Sequence, residues 1–265
     1  MRLKQKSWLT VSVAVVAAAS VFNVFGIDLV AAAVDTDPPS LSIDSDNDGL
    51  SDAQETEIYF TDPVVADTDG DGYSDGVEIA AGYSPRHTGG LSLMQVDSDN
   101  DYLLDAWELI LGTGLMNPDS DGDLYLDGTE VAASYDPLNP SPHQLEKLIR
   151  VNRYELKLTY SFDGKVFGSF PISTGKVSTP TPKGDFTVLA KIPVKHYAGV
   201  GWDYPNTKWN LQFARRNGLG YYIHGAYWHN KFGVKAVSSG CVNVRYEDME
   251  PLYWWAQEGT KIIIE

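Results

Sequence analysis

Tyr222-Ile223-His224-Gly225 and, a little further on, Val237-Ser238-Ser239-Gly240-Cys241-Val242-Asn243 form the stretch on which the reading of this chain turns. Cys241 is the only cysteine among 265 residues, and His224 precedes it by seventeen positions. A free thiol, with an ordinary pKa of about 8.5, is mostly protonated near neutrality, and the thiolate is its reactive form. An imidazole within hydrogen-bond reach can take that proton, so the pair is a candidate for nucleophilic catalysis. Gly225 follows the histidine. Gly240 precedes the cysteine and permits the sharp turn that exposes sulfur and aims main-chain N–H groups at a developing oxyanion. Taken alone, the two residues fit a small buried hydrophobe and a satisfied core histidine just as well.

Neighbouring segments narrow the choice. Ile149-Arg150-Val151-Asn152-Arg153-Tyr154-Glu155-Leu156-Lys157-Leu158 reads as an opening strand. Phe170-Pro171-Ile172-Ser173-Thr174-Gly175-Lys176 and Thr179-Pro180-Thr181-Pro182-Lys183-Gly184-Asp185-Phe186 follow, then the His224–Asn243 stretch, a helix over Tyr246–Ala256 and a strand at Gly259–Ile264. In this order the segments resemble the L,D-transpeptidase (YkuD-like) catalytic domain of bacterial cell-wall enzymes throughout residues 148–265. The resemblance implies a mainly β catalytic domain, a β-sandwich with a helix after the catalytic cysteine. It implies that Cys241 attacks the carbonyl of the third residue of a peptidoglycan stem tetrapeptide, expels the terminal D-alanine and forms a thioester. His224 is then general base and later general acid. The carbonyl of Gly225 orients its ring, Ser239 and Gly240 complete the catalytic loop, and Asn243, Tyr222 and Arg245 are expected at the substrate. An amine of a second stem peptide resolves the thioester into a 3→3 cross-link, or water resolves it as in an L,D-carboxypeptidase; the sequence leaves both open, along with another amine acceptor. The chain departs from the family where Ser239 stands in place of a histidine and Ala226 in place of a threonine. Trp202, Trp209 and Trp228 are candidates for a peptide groove or lid, while His196 and His229 read as surface or packing residues.

The first half carries an internal repeat with the register Asp-x-Asp-x-Asp-x-x-x-Asp-x-x-Glu. Its copies are Asp44, Asp46, Asp48, Asp52 and Glu55; Asp67, Asp69, Asp71, Asp75 and Glu78; Asp97, Asp99, Asp101, Asp105 and Glu108; and Asp119, Asp121, Asp123, Asp127 and Glu130. These are positions 1, 3, 5, 9 and 12 of a twelve-residue calcium loop, and hard oxygen donors without histidine or cysteine favour Ca²⁺ over zinc. Position 6 is Gly49 and Gly72 in the first two copies but Tyr102 and Leu124 in the last two. A left-handed turn without glycine costs about 1–2 kcal/mol, which favours the first pair. A short apolar-periodic helix follows each loop, ended in two copies by Gly82 and Gly112. The loop-plus-helix unit resembles thrombospondin type 3 and related bacterial calcium repeats, and the intervals of 23, 30 and 22 residues between the first aspartates suggest two pairs. Calcium is expected as a structural ion here, and no cofactor is expected for catalysis.

Charge supports the division. Of the 36 acidic residues, 26 fall in Val34–Lys147 against two basic ones, whereas Leu148–Glu265 holds 15 basic and 9 acidic residues. Self-repulsion in the acidic half should couple its folding to a cation. Neither half has a basic stripe interleaved with aromatics, so nucleic acid is not an expected partner. Residues 1–33 have Arg2, Lys4 and Lys6 before an apolar run and small residues at Ala31-Ala32-Ala33, the pattern of a secretory signal or an uncleaved anchor. The expected organisation is therefore 1–33 signal, 34–135 acidic repeats, 136–147 proline-rich linker and 148–265 catalytic domain, in a secreted or envelope-bound protein. A calcium-dependent wall-binding or adhesion protein without catalysis is the rival from another class.

Overall fold

The computed structural model describes residues 43–265, so the expected signal segment lies outside the described residues. The carboxy-terminal half is a two-sheet sandwich. Strands β1 (Lys147–Asn152), β2 (Lys157–Phe162), β3 (Lys165–Pro171), β4 (Gly184–Thr187) and β9 (Lys261–Ile264) form one sheet in the order β3-β2-β1-β9-β4. Strands β5 (Ala190–Gly199), β6 (Trp202–Arg216), β7 (Leu219–Gly225) and β8 (Val242–Val244) form the other in that order, and helix α5 (Tyr246–Trp255) follows directly. Alternation in the sequence explains the inner faces. Leu158, Tyr160 and Phe162 of β2 point inward with the lysine and hydroxyl residues between them turned out, and Ile262 and Ile264 do the same in β9. Leu211, Phe213, Ile223, Val242 and Val244 meet them from the second sheet, with Met249, Leu252 and Trp255 of α5 closing the layer.

The opening strand is not continuous. The chain reverses at residues 153–156, because the Asn152 side-chain oxygen accepts the N–H groups of Tyr154 (2.9 Å) and Glu155 (3.0 Å), and Leu156 takes a left-handed φ of 52°. An asparagine side chain standing in for a main-chain acceptor is a local turn signal strong enough to split a hydrophobic run.

The acidic half is a row of four loops, each running into a short helix: α1 (Asp52–Gln54, continuing as a π-helical turn through Glu55–Tyr59), α2 (Asp75–Ala81), α3 (Asp105–Leu111) and α4 (Asp127–Ala133). Gly82 and Gly112 end α2 and α3 with φ of 81° and 89°, as the sequence suggests. The last two units rest on the sandwich. Trp107 of α3 stacks on Phe167 of β3 at 5.3 Å and 17°, and Leu103, Leu111 and Val131 belong to the same buried cluster as the sandwich interior. Lys165 Nζ donates to the Leu111 carbonyl at 2.7 Å, while Lys147 Nζ donates to the carbonyls of Ala132 (3.1 Å) and Trp255 (2.9 Å), so one ammonium joins the ends of α4 and α5. The segment 136–147 is tied down by the bridge between Tyr135 and Gln144 and by its last residue entering β1. No described helix is long and apolar enough to cross a membrane.

Candidate active site and acidic loops

β7 and β8 run parallel with Ile223 opposite Val242 and His224 opposite Asn243. Side chains alternate along a strand, so Cys241, two residues before Asn243, projects on the face that carries His224. His224 is 3% exposed, and its Nδ1 lies 2.9 Å from the Gly225 carbonyl. A carbonyl only accepts, so Nδ1 carries the hydrogen and Nε2 keeps its lone pair free to act as a base. Burial, only partly opposed by that carbonyl, pushes the imidazole down to about 4. Burial likewise pushes the Cys241 thiol up to about 11, against the opposing pull of the Tyr222 main-chain N–H and the Lys195 ammonium. The resting pair is therefore a neutral thiol and a neutral imidazole, suited to proton transfer during attack and not to a standing ion pair. Among the described residues no hydrogen bond joins the two side chains.

The loop before the cysteine is held chiefly by Ser238, a residue the sequence reading passed over. Its hydroxyl donates to the Cys241 carbonyl at 2.6 Å and accepts the Gly240 N–H at 3.1 Å, and its main chain pairs with Thr174 and Lys176. Thr181 Oγ1 also reaches the Cys241 carbonyl at 3.4 Å and accepts the Gly175 N–H, which ties the Thr179–Phe186 segment to the nucleophile. Gly240 has φ of 119°, and a Cβ there would stand 2.8 Å from the Tyr221 ring, so glycine is required. Its own N–H is spent on Ser238 and is not free for a developing oxyanion. Ser239 is exposed and makes no hydrogen bond among the described residues. Gly225 is required for a different reason, since a Cβ would strike the Tyr246 ring.

Asn243 is buried and exchanges both main-chain hydrogen bonds with Ser173, at 2.9 and 2.7 Å. Its side-chain nitrogen faces His229 Nε2 at 2.9 Å, leaving its oxygen buried without a partner. His229 Nδ1 accepts the Lys231 N–H at 3.1 Å, so a neutral ring carries its hydrogen on Nε2. The Asn243 amide must then be turned over to offer its oxygen, which gives that oxygen the donor it lacks. His229 is thus a partner of the site and not an idle surface residue.

Aromatic rings build the wall. Tyr197 stacks on His224 at 4.8 Å, meets Tyr222 edge-on at 5.7 Å and donates its hydroxyl to Asn210 Oδ1 at 2.9 Å. Trp202, Tyr204 and Trp228 stack in turn, the last two at 3.9 Å and 7°, and Trp228 lies 5.7 Å from His224. Trp209 packs instead against Tyr246. His196 pairs with Asp203 across the β5–β6 hairpin. Arg245 lies 3.8 Å from Asp248 with its guanidinium over Phe232.

The four acidic loops share one geometry. Carboxylate oxygens from positions 1, 3 and 5 come within 4.8 Å of one another in Asp44, Asp46 and Asp48, in Asp67, Asp69 and Asp71, in Asp97, Asp99 and Asp101, and in Asp119, Asp121 and Asp123. The position-12 glutamates Glu55, Glu78, Glu108 and Glu130 are buried, and each keeps an oxygen without a partner, as do the four position-3 aspartates. Burial first, with neighbouring aspartates adding to it, pushes Glu55, Glu78 and Glu130 up to about 7 and Glu108 to about 10. Among the described residues no basic side chain pairs with any of these carboxylates. Orphaned hard-oxygen donors in this arrangement fit a calcium ion.

Asp52, Asp75, Asp105 and Asp127 are not in the clusters. Both oxygens of each are taken by the N–H and hydroxyl of the position-2 residue, Ser45, Thr68, Ser98 or Ser120, at 2.6–2.9 Å. They brace the loop where spacing alone would make them ligands. Position 6 is left-handed in all four copies, with φ of 104° and 103° at Gly49 and Gly72 and of 79° and 80° at Tyr102 and Leu124. Pairing of the loops is visible in hydrogen bonds: Asp48 Oδ2 accepts the Gly76 N–H at 2.7 Å and Asp101 Oδ2 accepts the Gly128 N–H at 3.0 Å.

Both halves of the chain are similar to known proteins. Residues 146–264 match the L,D-transpeptidase catalytic domain (YkuD) family, and residues 44–66 and 67–82 match the bacterial TSP3 repeat. Two similar proteins carry provisional L,D-transpeptidase names. The Bacillus subtilis (strain 168) protein YqjB is 29% identical over 48% of this chain and 76% of its own length. L,D-transpeptidase 3 of Mycobacterium tuberculosis is 32% identical over 37% of this chain and 39% of its own. An L,D-transpeptidase structure from Mycobacterium smegmatis aligns with a TM-score of 0.42 and 30% identity over 46% of this chain, which spans 59% of that one. Residues 146–264 thus belong to the L,D-transpeptidase catalytic-domain family, preceded in the same chain by bacterial TSP3 repeats.

Proposed function

We propose that the protein is an exported transpeptidase of the bacterial cell envelope that forms 3→3 cross-links in peptidoglycan through a Cys241 thioester. The observation that carries the reading is the parallel β7–β8 pair, which sets a neutral His224, its Nε2 unencumbered, on the face from which Cys241 projects. His224 Nε2 takes the thiol proton as Sγ bonds to the carbonyl of the stem's third residue. Collapse of the tetrahedral adduct breaks the C–N bond, and the same proton passes to the departing amine of D-alanine. The side-chain amine of a second stem then attacks the thioester, gives a proton to His224 and restores the thiol. Water in its place yields a tripeptide. Neutral starting states suit both halves, because the imidazole gains and loses one proton per half-reaction.

The acidic loops are read as calcium sites that stiffen the amino-terminal half, with positions 1, 3, 5 and 12 as the side-chain ligands. The orphaned position-3 and position-12 oxygens support this. Full-length protein and Cys241→Ala, incubated with disaccharide-tetrapeptide, should differ in one product seen by mass spectrometry, a dimer lacking one D-alanine. Tripeptide alone would assign hydrolysis, and no Cys241-dependent product from folded protein would end the catalytic reading. Calorimetric calcium titration that registers no binding would end the metal reading independently.

A further inference from the structure

Lys195 stands at the site with nothing to neutralise it. Its ammonium lies 5.5 Å from the Tyr197 ring centre and 5.4 Å from that of Tyr222. Those rings are the ones that flank the reacting pair: Tyr197 stacks on His224, and Tyr222 sits on β7 one residue before the Ile223–Val242 match, opposite Cys241. A register shift between Lys195 and Tyr197 in β5 marks a bulge, a device that re-aims side chains beside sites. Among the described residues the Lys195 ammonium makes no hydrogen bond and no ion pair, and it is only partly exposed. Arg245, by contrast, has a carboxylate beside it, Asp248 at 3.8 Å. A cation over two π faces is attracted to them but keeps all three N–H donors unspent.

We propose that Lys195 is a specificity-determining residue that binds the free α-carboxylate of the acyl donor's terminal residue, the group that leaves with D-alanine. This rests on the reading of the protein as an L,D-transpeptidase. A peptide cut one residue from its C-terminus brings a carboxylate into the immediate neighbourhood of the attacked carbonyl, and a charge-assisted hydrogen bond there tells a chain end from an internal peptide bond. The tyrosine rings hold the ammonium in place before substrate arrives, which lowers the ordering cost of that contact.

Two donors test it, the disaccharide-tetrapeptide and the same molecule with its terminal carboxyl converted to a carboxamide. Binding is measured by calorimetry in the Cys241→Ala background, so that no turnover is needed, and kcat/KM is measured in the active protein. The free acid should bind at least tenfold more tightly than the amide and be used at least tenfold faster. Lys195→Met, which keeps the apolar stem, should erase both differences by lowering only the free-acid values. Equal losses on both donors, with a raised pH midpoint for alkylation of Cys241, would assign Lys195 to the thiolate and overturn the proposal. Unchanged values would overturn it as well. An acid preference in binding that Lys195→Met removes, together with no turnover of either donor by the unaltered protein, would uphold the carboxylate site and reject the transpeptidase reading instead.

Discussion

Replacing Trp107 by alanine asks directly whether the acidic loops and the sandwich share one core. The indole is 5% exposed and stacks on Phe167, whose ring in turn lies 6.0 Å from Phe162 and 6.2 Å from Trp255. Truncating a buried tryptophan to alanine costs about 3–5 kcal/mol. The indole N–H is buried near the Tyr160 hydroxyl but outside hydrogen-bond geometry, so its removal sacrifices no well-made hydrogen bond. The loss should therefore fall near the lower end, about 3 kcal/mol. At roughly 2–4 °C per kcal/mol for a unit of this size, the melting temperature should drop by about 6–12 °C. Two probes follow the two halves separately. Alkylation of Cys241 reports the sandwich, and tryptic cleavage at Arg86, the only basic residue between Val34 and Glu146, reports the loops. Both should shift together in Trp107→Ala. A Cys241 transition that stays within a degree while Arg86 becomes cleavable at lower temperature would refute the shared core and make the loops a separate appendage. Trp107→Phe, which keeps the stack, should recover most of the loss.

Leu124 is 91% exposed at a left-handed φ of 80°, so it has no packing to lose. Leu124→Gly should relieve about 1–2 kcal/mol of strain, less the roughly 0.5–1 kcal/mol that glycine costs in chain entropy, and raise the urea midpoint slightly. Ser238→Ala should cost about 1–3 kcal/mol, since it leaves the buried Gly240 N–H unpaired and the Cys241 carbonyl with only the longer Thr181 bond, and should slow acylation of Cys241 in stopped-flow assays, whereas Ser239→Ala should stay within about 0.5 kcal/mol. His224 has an ordinary unfolded pKa of about 6.5 and a folded one of about 4, so its contribution is complete above the first value and is lost as pH falls toward the second. Because the acidic-loop carboxylates titrate in the same window with the opposite sign, the effect is read as a difference: the stability curves of the unaltered protein and His224→Phe should diverge by about 3 kcal/mol between those two pH values, and parallel curves would contradict the assignment.

Much of this was legible in the chain because the motif residues are close in sequence. Cys241, Gly240 and Asn243 lie within a few residues of one another, and the parallel pairing of β7 with β8 brings His224 across from them. Ser238 was legible in principle, but a motif reading weighs the residue next to Gly-Cys, and the one that bonds the loop is one further back. Lys195, Tyr197 and His229 reach the site only through the β5–β6 hairpin and the loop after β7, so nothing local marks them. In the acidic half, spacing picked out the position-1, -3 and -5 carboxylates that the fold gathers together, yet it treated every aspartate alike. Serine or threonine at position 2 of every loop was the available sign that position 9 had another partner. The joint core was hidden by charge: a strongly acidic segment reads as detached, while the few apolar residues that attach it, Trp107 foremost, are spread one per helical turn.

The grip of Asp48 on the Gly76 N–H, repeated by Asp101 on Gly128, makes a doublet the smallest unit in which this acidic array can grow. Glycine occupies that place only in the second member; Ala53 and Ala106 hold it in the first. A methyl group at Gly128 would stand 2.5 Å from the Asp101 carbonyl oxygen, and one at Gly76 would crowd Asp48 equally badly. A gene duplication that copied a lone first member into a second member's place would deliver that clash, so lengthening and shortening of the array should proceed by even numbers of loops.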